Sequence, residues 1–437
     1  MAGEDRTPAG YSLPERLSTL GDMTRNADDT ALVAPGSARP ERPASELAGA
    51  SPAQRSQASR LIGVDLARGL AVYGMYAAHV GPDPAEGGVT GHLMELAHGR
   101  ASALFAFLAG FSIMLITGRR TPRTGRAGRQ AVAKVVIRAL ILLALGTALT
   151  LTGTPVEVIL AFYGLYFLLV LPLYRLGAGT LAVIAAASTL VLPQILYVVQ
   201  GALNAADGGP GGIWAWPEGG DGIVSLLFTG SYPALTWVPF VIAGMAVARL
   251  DLAATAVRTR LALTGIGLAV LGYGGSWLAL HLVPGALSKL SSGGLGEGGS
   301  TGSAWWSDTW GYPNGDTPAG LLVASPHSET TLSIVANTGL AIAVLAACLA
   351  AVDAFPRFHR PARPVIAVGS MSLTAYVFHI VGIHFLGTEE LPGSPLHVLL
   401  GFILAVTVFA TLWARYFRRG PLEWLLGRAT RAAELVR

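Results

Sequence analysis

The 437 residues are 52% hydrophobic and only 13% charged, a balance far from that of water-soluble domains. The net charge of +4 excludes no class by itself, but the arginines gather in short segments beside apolar runs, a pattern of membrane topology rather than of nucleic-acid binding. A single cysteine, Cys348, inside an apolar run, excludes a disulfide framework and a cysteine-based metal site.

In chain order, residues 1–57 are poor in hydrophobic residues and rich in Pro, Ala, Ser, Glu and Arg, which predicts a disordered tail. They contain no apolar stretch of signal-peptide length, so the tail is expected in the cytoplasm. Hydrophobic runs of spanning length follow at roughly 61–80, 101–118, 132–152, 156–174, 178–199, 230–249, 261–283, 331–352, 365–386 and 396–416. The expected fold is therefore all-α: a polytopic integral membrane domain of about ten helices over 58–425, with a short cytoplasmic tail at 426–437.

The segment between the second and third runs carries Arg119, Arg120, Arg123, Arg126, Arg129 and Lys134, and the positive-inside rule puts it in the cytoplasm. Both termini are then expected on the cytoplasmic side of the plasma membrane. The long loops at about 200–229 and 284–330, rich in Gly, Pro and Trp, fall outside. Trp214, Trp216, Trp277, Trp305, Trp306 and Trp310 map to that outer side, as an interfacial belt or as a stacking surface for sugar rings.

Within the first run Arg68 and His79 are eleven positions apart, three helical turns with ~20° left over, so both sit on one helix face ~16 Å apart. Ionisable groups at membrane depth are costly and mark function. Asp65, three residues before Arg68, is its expected partner. His92 and His98 bracket the same short outer loop as His79, and His98 opens the sequence His98-Gly99-Arg100. His327 lies at the outer mouth of the eighth run. His379, deep in the ninth, reads either as functional or as an interhelical hydrogen-bond partner. Gly-x-Ser-x-Gly, Walker A and His-Glu-x-x-His patterns are absent, and no inverted repeat with paired broken helices marks a transporter.

The segment Arg60 to Ala71 (RLIGVDLARGLA), followed by His79 at Arg-x10-His spacing, resembles the first helix of the transmembrane acyltransferase superfamily, which includes the acyltransferase-3 enzymes and the heparan-alpha-glucosaminide N-acetyltransferases. The block His98 to Phe105, Gly230-Ser231-Tyr232-Pro233 and Gly420-Pro421-Leu422-Glu423-Trp424 are similar to the YeiB-like families. By resemblance to the acyltransferase-3 enzymes His79 is the catalytic residue and Arg68 its companion. By resemblance to the glucosaminide branch the acting histidine is His92 or His98.

The implied function is transfer of an acyl group, acetyl first among them, from cytoplasmic acyl-CoA to a hydroxyl or amine of an envelope glycan or lipid outside. A pantetheine arm would then thread ~30 Å of hydrocarbon. Arg68, held by Asp65, and Arg100 are the donor-binding candidates through charge-assisted hydrogen bonds. A neutral imidazole takes the acceptor proton, or the acyl group itself, and Glu95 or Glu157 orients it. The partners expected are membrane lipids and the glycan or lipid acceptor, with no nucleic acid, no metal and a homodimer left open. The competing class is a proton-coupled transporter or flippase that uses Asp65, Arg68 and His79 as its path.

Overall fold

The computed structural model describes residues 52–207, 222–292, 301–307, 317–387 and 393–437. Nearly all of the predicted tail at 1–57, and Trp214, Trp216 and Trp310, lie outside the described residues. Every regular element among the described residues is a helix. The principal ones are α1 (Pro52–Val80), α2 (Gly88–Glu95), α3 (Arg100–Thr117), α4 (Gly125–Thr150), α5 (Ile159–Val170), α6 (Ala178–Asp207), α7 (Ala234–Ala248), α8 (Thr255–Leu282), α9 (Ala286–Ser292), α10 (Thr331–Ala354), α11 (His359–Ser370), α12 (Ser372–Leu386), α13 (Leu396–Tyr416) and α14 (Pro421–Ala429).

Each of the ten hydrophobic runs is helical, yet among the described residues six helices are long and apolar enough to cross a bilayer, or seven when α11 and α12 count as one broken span. The difference has physical causes. α1 is long enough but carries Asp65 and Arg68. α5 stops after 12 residues because Pro172 turns the chain into a 3-10 segment, and α7 has only 15. Both short helices are buried almost all round, where protein rather than lipid satisfies and covers the chain. α4, α6, α8 and α13 instead leave most of their apolar surface outward, as lipid-facing helices do.

One broken helix is present where no such feature was expected. α11 and α12 meet at Met371 with a 77° bend. The break leaves backbone N–H groups at the start of α12 without helical partners. Glu423, from the first turn of α14, supplies them: its carboxylate accepts from Leu373 N at 2.8 Å, Thr374 N at 3.1 Å and Thr374 Oγ1 at 2.6 Å. A Cβ at Gly420 would run into that carboxylate and Met371, so the terminal Gly-Pro-Leu-Glu motif is the cap of a broken helix. α1 crosses α11 in close contact, since a side chain at Gly69 or Gly369 would strike the other helix's backbone.

The basic segments tie neighbouring loops together. Arg119 Nε donates to Ala248 O at 3.0 Å and Arg249 Nε to Leu176 O at 3.0 Å, satisfying carbonyls at helix ends. The C-terminal segment 426–437 packs on α4: Arg129 Nε donates to Arg437 O at 2.7 Å, and Lys134 pairs with Glu434 at 3.7 Å.

Candidate active site

Two cavities open along α1. The one at the C-terminal end of α1, called outer after the expected topology, about 410 Å³, is lined by His79, His98, Glu157, Ser231, Tyr232, His327 and Glu329 among others, and its counterpart nearer the start of α1 is called inner. The inner one, about 340 Å³, is lined by Arg68, Ser112, Arg138, Ser370, Ser372 and Glu423 together with apolar side chains of α3 and α5. Three turns of one helix thus connect an imidazole in one cavity to a guanidinium in the other.

In the outer cavity His79 Nδ1 lies 2.9 Å from His379 Nε2, a hydrogen bond in which one imidazole donates and its neighbour accepts. His379 is fully buried. Its ring is held between Tyr76 and Tyr376, at centroid distances of 4.7 and 4.9 Å. Tyr76 Oη donates to Ala375 O at 2.6 Å, and Tyr376 Oη accepts from Ile159 N at 3.2 Å, so neither tyrosine is free to turn. With Nδ1 of His79 engaged, Nε2 is its remaining nitrogen.

The opposite wall comes from two loops. Glu157 accepts from Ser231 N at 3.0 Å and from Ser231 Oγ, fixing the Gly230 to Pro233 turn. Tyr166 Oη donates to Tyr232 O beneath it. His327 packs against Tyr232 and Trp237 at 5.3 and 5.8 Å. Glu329 accepts from Trp237 Nε1 at 2.9 Å and from Thr236 Oγ1. His327 and Glu329 have φ of +53° and +58°, the left-handed region that costs non-glycine residues and collects at functional sites. Burial pushes the Glu329 carboxyl up to about 7, against the pull of its two hydrogen bonds.

The predicted residues separate. His79 and His98 line the outer cavity. His92 does not: it is exposed, its Nδ1 is 2.7 Å from Gly88 O, and its ring stacks on Trp306. Glu95 is buried 3.9 Å from Arg100, outside both cavities. Arg100 is buried too, donating to Tyr273 Oη at 2.9 Å, Glu95 O at 2.6 Å and Trp306 O. It binds the loop at Trp306 to the helices and lines neither cavity, so it does not join Arg68. Arg68 reaches Asp65 Oδ1 at 2.8 Å, the expected i, i+3 pair, and Ser112 Oγ at 2.7 Å.

Sequence reasoning passed over Glu329, Arg138 and the structural use of Glu423. Arg138 was findable, because it sits inside the 132–152 apolar run just as Arg68 sits inside the first. The His79–His379 contact, across 300 residues of chain, carries no local signal.

Residues 60–277 match the family model described as heparan-alpha-glucosaminide N-acetyltransferase, catalytic. Residues 321–433 match one described as a protein of unknown function, DUF418. The chain belongs to the transmembrane acyltransferase superfamily of heparan-alpha-glucosaminide N-acetyltransferase-like and YeiB-like proteins. The first match goes with an acyltransferase-type activity at a membrane. No curated protein matches the chain. The outer cavity lies where the two matched regions meet: His79, His98 and Ser231 come from the first, and His327 and Glu329, with His379 behind His79, from the second.

Proposed function

We propose that the protein is a membrane-embedded acyltransferase that moves an acyl group, acetyl first, from cytoplasmic acyl-CoA to an extracytoplasmic hydroxyl or amine of an envelope glycan or lipid. The carrying observation is His79, backed by the buried His379 and facing a polar cavity from the same helix that presents Arg68 to a second cavity. In this reading all ten apolar runs cross the plasma membrane, the short α5 and α7 inside the bundle, and both termini are cytoplasmic. The first matched family's own name, an acetyl transfer to a glucosaminide, supports the class of donor and acceptor.

His79 donates from Nδ1 to His379 Nε2, which leaves Nε2 unprotonated to take the acceptor's proton as its oxygen or nitrogen attacks the thioester carbon. His379, its ring position set by two tyrosines, accepts that proton on Nε2 and carries its own on Nδ1. Arg68 and Arg138 bind donor phosphates through charge-assisted hydrogen bonds, Arg68 pre-positioned by Asp65.

Purified protein in proteoliposomes with radiolabelled acetyl-CoA tests this. Release of free CoA thiol with label on an added amino sugar or lipid, absent in His79→Ala, is the expected result. Label that accumulates inside vesicles chemically unchanged would instead establish a transporter.

A further inference from the structure

We propose that Glu329 is a second acid–base residue of the outer cavity, delivering a proton to the departing thiolate of the donor while His79 takes one from the acceptor. The proposal rests on the acyl-transfer reading above. Glu329 and His79 face the same cavity from different parts of the chain. Both carboxylates there are hydrogen-bonded through both oxygens, Glu157 to Ser231 of the adjacent turn and Glu329 to Trp237 Nε1 and Thr236 Oγ1, but burial raises Glu329 into the range of neutral pH. Glu329 is carried on a backbone that stands in the left-handed region at both 327 and 329. That conformation is locked by side-chain bonds around it: Thr330 Oγ1 to Val323 O at 2.6 Å, Ser328 Oγ to Ser325 O at 2.7 Å, and Ser333 N to Thr330 Oγ1 at 3.1 Å. Strain held this firmly orients a side chain rather than simply closing a loop.

The titratable groups facing Glu329 are His79 from α1, His98, Glu157, Tyr232 and His327, with Tyr166 of α5 behind Tyr232. Among the described residues no lysine or arginine lines the cavity. Nothing cationic and permanent therefore forces the carboxyl to ionise, and a value of about 7 leaves both forms populated at neutrality, as a group that gives and regains a proton requires.

The step balances. The acceptor X–H attacks the thioester carbon, the C–X bond forms, and the X–H proton passes to His79 Nε2. The C–S bond breaks, and the sulfur takes the Glu329 proton to leave as free thiol. The imidazolium proton then returns to the Glu329 carboxylate, restoring both groups.

Glu329→Gln preserves shape and an acceptor for Trp237 Nε1 but removes the proton. It is compared with wild type on acetyl-CoA and on an acetyl thioester of a nitro-substituted thiophenol, whose acidic thiol leaves without protonation. The expected loss is about 10²- to 10⁴-fold with acetyl-CoA and under about tenfold with the aryl thioester. In wild type the acetyl-CoA rate falls as pH rises through about 7, where the acid form disappears, and the variant lacks that limb. Equal losses on the two donors, or none on either, overturn the proposal while leaving acyl transfer intact. No turnover by wild type with either donor overturns the acyl-transfer reading itself.

Discussion

The two cavities flank the same three turns of α1 and have opposite chemistry. Among the described residues the outer wall holds three histidines and two glutamates, with no lysine or arginine. The inner wall holds two arginines, and its one glutamate is occupied in capping α12. The separation has an energetic meaning. A guanidinium 4 Å from an imidazole would oppose its protonation by about 4 kcal/mol at an effective dielectric of 20, whereas at ~16 Å the effect is about 1 kcal/mol. Keeping the cations three turns away lets an anion be held at one end of the helix without disarming a base at the other.

Substitutions that address each cavity separately test this division, and His79→Ala carries the largest expected effect. Removing a general base costs about 10²- to 10⁴-fold in turnover, and with the donor held elsewhere, affinity for a non-hydrolysable acyl-CoA stays near wild type. His98→Ala, on the same wall but without the His379 contact, is milder. Loss of donor affinity in His79→Ala, measured by calorimetric titration, would collapse the two regions into one site.

Arg68→Lys is next. It keeps charge but gives up the planar fork that reaches Asp65 and Ser112 together, and weakens donor binding by about 1 to 3 kcal/mol. Unchanged affinity in Arg68→Lys and Arg68→Ala would make Arg68 a structural partner of Asp65 and leave Arg138 as the cation to examine.

Below these in size is Glu423→Ala, which removes the acceptor for two backbone N–H groups and one hydroxyl at the break before α12. Loss of such a cap costs about 0.5 to 2 kcal/mol, read as a lowered unfolding midpoint in detergent. Glu423→Gln keeps one acceptor oxygen and loses less. An unaltered midpoint in Glu423→Ala would mean that the bend, and with it the floor of the inner cavity, is set by α1 packing at Gly69 and Gly369 alone.

Helical periodicity made part of this legible. The spacing of Arg68 and His79, the Asp65 partner and the helical character of all ten runs follow from residue pattern, because a helix brings i+3 and i+11 neighbours to one face. The number of crossing helices does not follow, since hydrophobicity reports an apolar environment and cannot separate lipid around α6 from protein around α5. The partner of His79 does not follow either. Glu329 and Arg138 join the cavities, and His379 backs His79, through tertiary packing of distant segments; Arg138 and His379 carry only the signal of a polar residue inside an apolar run, and Glu329, just before the 331–352 run, carries none.

The smallest expected effect distinguishes members of one short stretch of sequence. His79, His92 and His98 bracket the same outer loop, and resemblance alone allowed any of them to act. Geometry divides them: His92 is exposed, bonded to the carbonyl of its own first turn and stacked on Trp306, whose carbonyl Arg100 also binds. Its removal strips one face of a surface tryptophan and leaves the cavity wall intact. A surface change of this kind lies within about 0.5 kcal/mol, which is about twofold in rate. His92→Ala is therefore expected to turn over within that range, with donor affinity unchanged. If His92→Ala is inactive while His79→Ala retains activity, the reacting centre lies beside Trp306 rather than beside Glu329, and the outer cavity is no longer the site of acyl transfer.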